Sequence, residues 1–277
     1  MMRQKLEARL LRGVTYLGSI FTMAVLGIVV GYILIKGIPH LTPELFAWKY
    51  TSDNVSMLPA IINTLLMTAI ALVLAVPLGI GAAIWLTEYA RRGSRLVKLV
   101  RITAETLSGI PSIIYGLFGA LCFVEAMKLG LSLISGALTL AIMILPLIMR
   151  TAEEGLLAVP DSFREGSFGL GAGRLRTTIK VVLPSAIPGI LAGVILAVGR
   201  IVGETAALIY TAGTVPEAAK SLTSSARTLS VHMYTISSEG LYINQSYATA
   251  VVLLVIVMGV NFLSEWIARK VGTHGKN

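Results

Sequence analysis

The chain has 277 residues, of which 55% are hydrophobic and only 13% charged; about a quarter of the residues of a soluble domain are charged, so an ordinary soluble globular domain is excluded. The formal net charge of +9 would suit a nucleic-acid binder, but no basic stretch is interleaved with aromatics, and membrane proteins gather basic residues on their cytoplasmic loops. The single cysteine, Cys122, allows neither an internal disulfide nor a cysteine metal site. His40, His232 and His274 stand far apart without ligand spacing, so no metal or other cofactor is expected.

The opening MMRQKLEARLLRG is basic and precedes an apolar run from Gly13 to Ile35. That run exceeds a signal-peptide core and lacks a small-residue cleavage site, which predicts a retained first helix. Apolar runs long enough to cross a ~30 Å hydrocarbon core as helix predict six spans, at about 13–35, 59–87, 102–127, 131–149, 181–210 and 247–268. The fold class is an all-α membrane protein with six transmembrane helices. The chain divides near residue 58: residues 1–58 hold the N-terminal tail, first helix and an outer loop, and residues 59–277 hold the transmembrane core. Spans three and four flank a tight Leu129-Gly130 connection and form a hairpin.

Basic residues fix the expected orientation. The two tails and the loops after spans two and four carry 17 Lys and Arg, the opposite side carries 5, and Arg200 lies within a span. This bias predicts a multi-pass protein of the cell (inner or plasma) membrane with both termini in the cytoplasm. Prolines recur inside the spans (Pro77, Pro111, Pro146, Pro184, Pro188), where each removes a backbone hydrogen bond and tends to kink the helix. In the outer loop at 36–58, Phe46, Trp48 and Tyr50 read as interfacial anchors. The second outer loop, 211–246, is rich in Ser and Thr and could hold a short re-entrant or surface helix.

Between spans four and five runs TAEEGLLAVPDSFREGSFGLGAGRLRTTIKVVLP, at about 151–184. Ser162-Phe-Arg-Glu165 has the form of a capping box, which predicts a short helix starting at Ser162. Glycines at 166, 169, 171 and 173 weaken a helix by up to ~1 kcal/mol each, a cost that usually accompanies close backbone approach. Phe163, Phe168 and Leu170 beside charged Arg164 and Glu165 suit docking into a partner's groove; an ordinary surface loop lying on the membrane is the alternative. The spacing resembles the EAA loop of ABC importer permeases: Glu165-Gly166-Ser167, three residues, Gly171, nine residues, then Val181-Val182-Leu183-Pro184, with Gly and Ser for the two alanines and Val for Ile. In that family the loop is the coupling helix on the ATP-binding subunit. The resemblance implies a type I ABC importer permease (MetI-like) fold, with Glu165 and Gly171 in the coupling role. No G-x-x-x-x-G-K-[ST] phosphate loop is present, so the chain is not expected to be an enzyme; a partner ATPase is implied.

Span five contains GRIVGETAALIYTAG. Arg200 and Glu204 are four apart and would share one helix face, with Arg200 ~24 Å beyond Pro184 at 1.5 Å per residue, past the midplane. A charge at the helix centre costs roughly 2.5–3.5 kcal/mol on insertion scales, so the two must pair or line a polar cavity. Arginine's planar fork suits a tetrahedral oxyanion, and Glu204 would hold Arg200 or accept a proton from monobasic phosphate. Glu105 and Glu125 read as interfacial. Ser108, Gly109 and Pro111 could break span three beside the pathway, leaving Ser112 and Tyr115 as lining groups.

The stretches 63–90, 109–119 (GIPSIIYGLFG), the EAA loop, 199–213 and 231–239 (VHMYTISSE) together resemble the A-type permease of the phosphate-specific ABC transporter, from about residue 58 to the end. The resemblance implies phosphate as substrate and a role for Arg200 in transport. It also implies a second, homologous C-type permease, two ATP-binding subunits and an extracytoplasmic phosphate-binding protein. The same fold serving molybdate or sulfate is the alternative. A membrane enzyme would need an aspartate-rich diphosphate motif, a histidine cluster or an activated nucleophile, and a secondary transporter often shows repeated halves; the sequence displays none of these.

Overall fold

The computed structural model describes residues 2–91 and 93–273; His274 and Lys276 lie outside them. Every regular element among these residues is helical. The elements are α1 (Met2–Gly37), α2 (Leu58–Ile84), α3 (Arg95–Ser108), α4 (Ser112–Gly119), α5 (Leu133–Leu157), α6 (Asp161–Gly169), α7 (Arg174–Thr177), α8 (Leu183–Val202), α9 (Ala206–Thr211), α10 (Leu229–Ser238) and α11 (Ile243–Thr273). Single π-helical turns extend α2 through Trp85–Tyr89, α4 through Ala120–Ala126, and join α7 to α8 through Thr178–Val182.

Five helical stretches are long and apolar enough to cross a membrane, and the α3–α4 pair makes a sixth if counted as one span. The hydrophobic runs therefore land where the sequence places them, with two changes of shape: spans three and five are each broken, the latter at 203–205. Span three, over 102–127, bends by 102° between Ser108 and Ser112, at the break that Ser108, Gly109 and Pro111 lead one to expect. Pro111 has no amide hydrogen for the ladder, and Gly109 caps α3. Pro77, Pro146 and Pro188 sit inside helices that continue past them.

α5 is the hub, with two-thirds of its apolar window buried against 28% or less in the other single-helix spans. It is apolar on several faces, as a helix surrounded by protein must be. Met67, Ala71 and Ala75 of α2, Tyr115 of α4, Ala197 and Ile201 of α8, and Leu208 of α9 close a core around Leu140, Ile144 and Ile148. With lipid as solvent, apolar burial alone does not hold helices together, and small residues let backbones approach. The α5–α8 contact works this way: a Cβ on Gly189 would lie 2.9 Å from the Gly155 Cα, and one on Gly193 would collide with Thr151. The hairpin between spans three and four turns through Lys128 and Gly130, both at positive φ (56° and 65°).

α1 leans on α11 only near its last turns, where Tyr32 meets Tyr247 edge-on at 5.8 Å and Gly37 abuts the Tyr247 carbonyl. The outer loops fold onto the bundle rather than hanging free. Asn63 of α2 donates to the carbonyls of Glu217 and Arg227 at 3.0 and 3.1 Å and accepts from the Ala219 amide at 2.9 Å. The 211–246 loop does hold a short helix, α10, capped by Thr228. Trp48 is exposed, as an interfacial anchor would be. Tyr50 instead turns inward, and its ring faces Arg227 at 4.7 Å.

Candidate functional site

Two interrupted helices meet beside α5. One break, at 109–111, leads into α4; the other, at 203–205, leads from α8 into α9. α4 and α9 pack backbone to backbone: a Cβ on Gly116 would stand 2.7 Å from the Ala207 Cα, and one on Gly119 would strike Thr139 and Thr211. Irregular backbone at membrane depth is tolerated only inside protein or beside a water-filled path, so the pair is the candidate region for a pathway.

The sequence-predicted pathway residues gather around these breaks. Arg200 is half-buried, two residues before the end of α8. Tyr115 is buried, and its hydroxyl donates to the Leu107 carbonyl at 2.8 Å and so ties α4 across the break to α3. Ser112 opens α4 and is half-buried.

The expected Arg200–Glu204 pair is not formed. α8 stops at Val202, so the two do not share a helix face. Glu204 is 8% exposed, and its Oε1 accepts the Ala207 amide at 3.1 Å, capping α9. Its carbonyl accepts the Ser230 hydroxyl at 2.5 Å. The carboxylate thus satisfies a backbone donor freed by the break, an outlet that i,i+4 spacing could not reveal. Arg200 has no hydrogen-bonded or carboxylate partner among the described residues.

The candidate coupling loop folds as the exposed helix α6. It begins at Asp161, one residue before the expected start, because Pro160 (φ −57°, ψ 142°) sets the turn; Ser162 is already helical and makes no capping box. Phe163, Phe168 and Leu170 are 52%, 45% and 91% exposed, a patch of the kind that seats in a groove. Glu165 is exposed beside them. The glycines at 166, 169, 171 and 173 do not serve close approach within the chain, since a Cβ at any of them would meet open space. Gly171 has a conformational task. It adopts φ +81° and donates to the Phe168 carbonyl at 2.9 Å, while the Ala172 amide reaches the Ser167 carbonyl at 3.1 Å. These two bonds are a Schellman ending, which favours glycine at its left-handed position.

Sequence reading missed what anchors α6. Arg164, 15% exposed, donates through Nη2 and Nε to Glu88 Oε1 at 2.7 and 3.1 Å, and Glu88 is 7% exposed. The same guanidinium reaches the carbonyls of Val159 and Leu156 at 2.8 and 3.0 Å and Asp161 at 3.3 Å. The π turn at Trp85–Tyr89 carries Glu88 at the end of α2. The only signal in the sequence was a lone acid at the end of an apolar run.

In the 211–246 loop, Arg227 is 3% exposed, and its Nε and Nη2 have no acceptor among the described residues. Burial and the Tyr50 ring account for it: desolvation holds the guanidinium below its usual pKa, and contact with Tyr50 opposes that. His232 stands edge-on to Tyr50 at 6.2 Å and is fully buried. Desolvation first, then the charge of Arg227, push it down to about 3; the Val55 backbone nearby acts the other way, although neither ring nitrogen completes a hydrogen bond.

Residues 75–273 match the family described as binding-protein-dependent transport system inner membrane component. A probable ABC transporter permease protein, YqgI, of Bacillus subtilis is 32% identical, the match covering 96% of both chains. The phosphate transport system permease protein PstA of Pasteurella multocida is 36% identical over 76% of this chain and 75% of its own. Among solved structures, the MetNI methionine ABC transporter in an inward-facing conformation superposes with a TM-score of 0.59 over 87% of this chain and 96% of its own, at 20% identity, a likeness of fold. In this family the permease spans the membrane and a partner subunit hydrolyses ATP. With a six-span helical bundle, an exposed loop helix and a match over most of its length, the chain belongs to the inner-membrane permease family of binding-protein-dependent ABC importers.

Proposed function

We propose that the chain is the A-type permease of an importer of inorganic phosphate. The observation that carries this reading is Arg200: a guanidinium without a carboxylate partner among the described residues, at the junction of two broken helices. Its fork of donors fits the edge of a tetrahedral oxyanion, and the sequence likeness to PstA permeases points to phosphate over other oxyanions. Release of Glu204 to cap α9 strengthens the reading, because Arg200 then keeps its donors for the anion. Ser112 and Tyr115 flank the route from α4. An anion entering a negative cell interior meets ~2.3 kcal/mol per charge per 100 mV, which favours a coupled importer over a passive pore.

The partners follow from the same reading: a C-type permease completing the pathway, an ATP-binding subunit dimer seated on Phe163, Glu165, Phe168 and Gly171, and an extracytoplasmic phosphate-binding protein above the outer loops. Both termini face the cytoplasm of a cell whose inner membrane holds the complex. Radiolabelled phosphate uptake by cells carrying the full complex tests the reading. Excess sulfate or molybdate should leave uptake unchanged; competition by either at equal concentration would reassign the substrate.

A further inference from the structure

A cavity of about 620 Å³ opens behind α6, between the end of α2, α3 and the start of α7. Arg91, Arg101, Arg164 and Arg174 line it from four separate segments, against the carboxylates of Glu88 and Asp161. Two of the arginines are already saturated: Arg164 by Glu88 and Asp161, and Arg101 by Glu153 at 2.5 Å. Arg91 and Arg174 have no carboxylate partner among the described residues, and Arg174 is held over the Tyr89 ring at 6.0 Å. Apart from Thr87 and Tyr89 the remaining lining is apolar, and its Leu86 and Val97 are buried. The cavity sits where the apolar span Leu58–Tyr89 ends, beside Trp85 and Tyr89, aromatics of the kind that mark a membrane interface.

We propose that this cavity is a binding site for a phosphate group, carried by the headgroup of an anionic phospholipid. Two guanidiniums without a carboxylate partner, from separate segments of the lining, give the phosphodiester its charge-assisted hydrogen bonds. The apolar lining residues and the adjoining span give the glycerol and first methylenes a place to lie, which a free ion would not use. Basic pockets at the cytoplasmic ends of transmembrane helices recognise lipid headgroups in this way. The cavity shares Arg164 and Phe168 with α6, so an occupied site would stiffen the base of the coupling helix. The inference rests on the proposed orientation, not on the transported substrate. Free inorganic phosphate offers the same chemistry and is the second source to be distinguished.

The assembled transporter in nanodiscs of phosphatidylcholine, with or without phosphatidylglycerol, tests this by native mass spectrometry of retained lipid. Wild type should retain phosphatidylglycerol, and Arg91→Gln with Arg174→Gln should weaken retention by about fivefold for each guanidinium. The Lys pair at both positions should retain most of it, which separates lost charge from lost fold. A second arm measures [32P]phosphate binding in phosphatidylcholine discs, in an Arg200→Ala background that disables the pathway's own anion site. Phosphate binding lost in the Gln pair, with no lipid retained by wild type, would support the site and assign it to the free ion. Unchanged binding of both probes in the Gln pair would overturn the proposal. So would cysteine cross-links from positions 91 and 174 to the ATP-binding subunit without any lipid difference, since the cavity would then be filled by protein.

Discussion

Arg164 Nη2 lies 2.7 Å from Glu88 Oε1, a bond that joins the exposed helix α6 to the end of α2 across 76 residues of sequence. Both side chains are largely buried, and removing one partner of such a pair costs roughly 3–5 kcal/mol because a charge is left without its mate. Glu88→Gln should therefore loosen α6: hydrogen exchange at residues 161–170 should rise at least tenfold while exchange in α5 stays unchanged. If α6 seats the ATP-binding subunit as proposed, the same variant should hydrolyse more ATP per ion imported, because motion of α6 would no longer be passed to α2. The exchanged pair Glu88→Arg with Arg164→Glu should restore part of the coupling; no recovery would confine the bond to local folding.

Gly171 tests conformation apart from bulk. At φ +81° an alanine costs about 1–2 kcal/mol, although its Cβ would meet open space. Gly171→Ala should fray the end of α6 and reduce co-purification of the ATP-binding subunit several-fold, while membrane insertion remains normal. Gly171→Asn should do about half the damage, since asparagine tolerates the left-handed region. Equal loss in both variants would point to contact with the partner instead of backbone strain.

Arg200 and Glu204 should separate cleanly. Arg200→Ala should lower phosphate uptake at least ~tenfold, the scale of losing hydrogen bonds from a charged donor, and Arg200→Lys should recover little of it because a point charge cannot replace the fork. Glu204→Gln keeps an oxygen to accept the Ala207 amide and removes only the charge. Folding, followed by thermal unfolding of the purified complex, should be unaffected by Glu204→Gln, and any loss of uptake would then report the carboxylate's charge. Glu204→Leu should lower both.

His232 makes the outer loops sensitive to acid. Its folded value of about 3 lies below the ordinary 6.5, so the opened form binds the extra proton between about pH 6.5 and 3. Stability is flat above that window and falls as pH drops through it, by ~1.4 kcal/mol per unit. Going from pH 7 to 5 should remove about 2 kcal/mol from the closed arrangement around Arg227, Tyr50 and Glu239. Thermal unfolding at the two pH values checks this, and His232→Phe should flatten the difference.

Much of the bundle could be read from run lengths, because a helix in hydrocarbon has no other way to satisfy its backbone. The break at Pro111 was legible for the same reason: proline's missing amide is a local fact. The break at 203–205 was not. Gly203 weakens a helix by only about 1 kcal/mol, and what ends α8 is distant, with Ser230 bonding the Glu204 carbonyl from 26 residues away. That one event also undid the shared face of Arg200 and Glu204. The start of α6 was misplaced by one residue because Pro160 outweighs a serine cap, and the Glu88 anchor stayed hidden because charge complementarity over 76 residues leaves no period to detect.

Among the described residues, α1 enters none of the three buried hydrophobic clusters and meets α11 near its last turns. On the proposed orientation, its work belongs more to biogenesis than to packing. A basic tail followed by the first apolar run commits the chain to one sidedness as it leaves the ribosome, and each later span inherits that choice. Severing α1 from a finished molecule should leave the folded core nearly as stable as before, whereas a chain synthesised without it would have to take its sidedness from the basic loops after spans two and four alone.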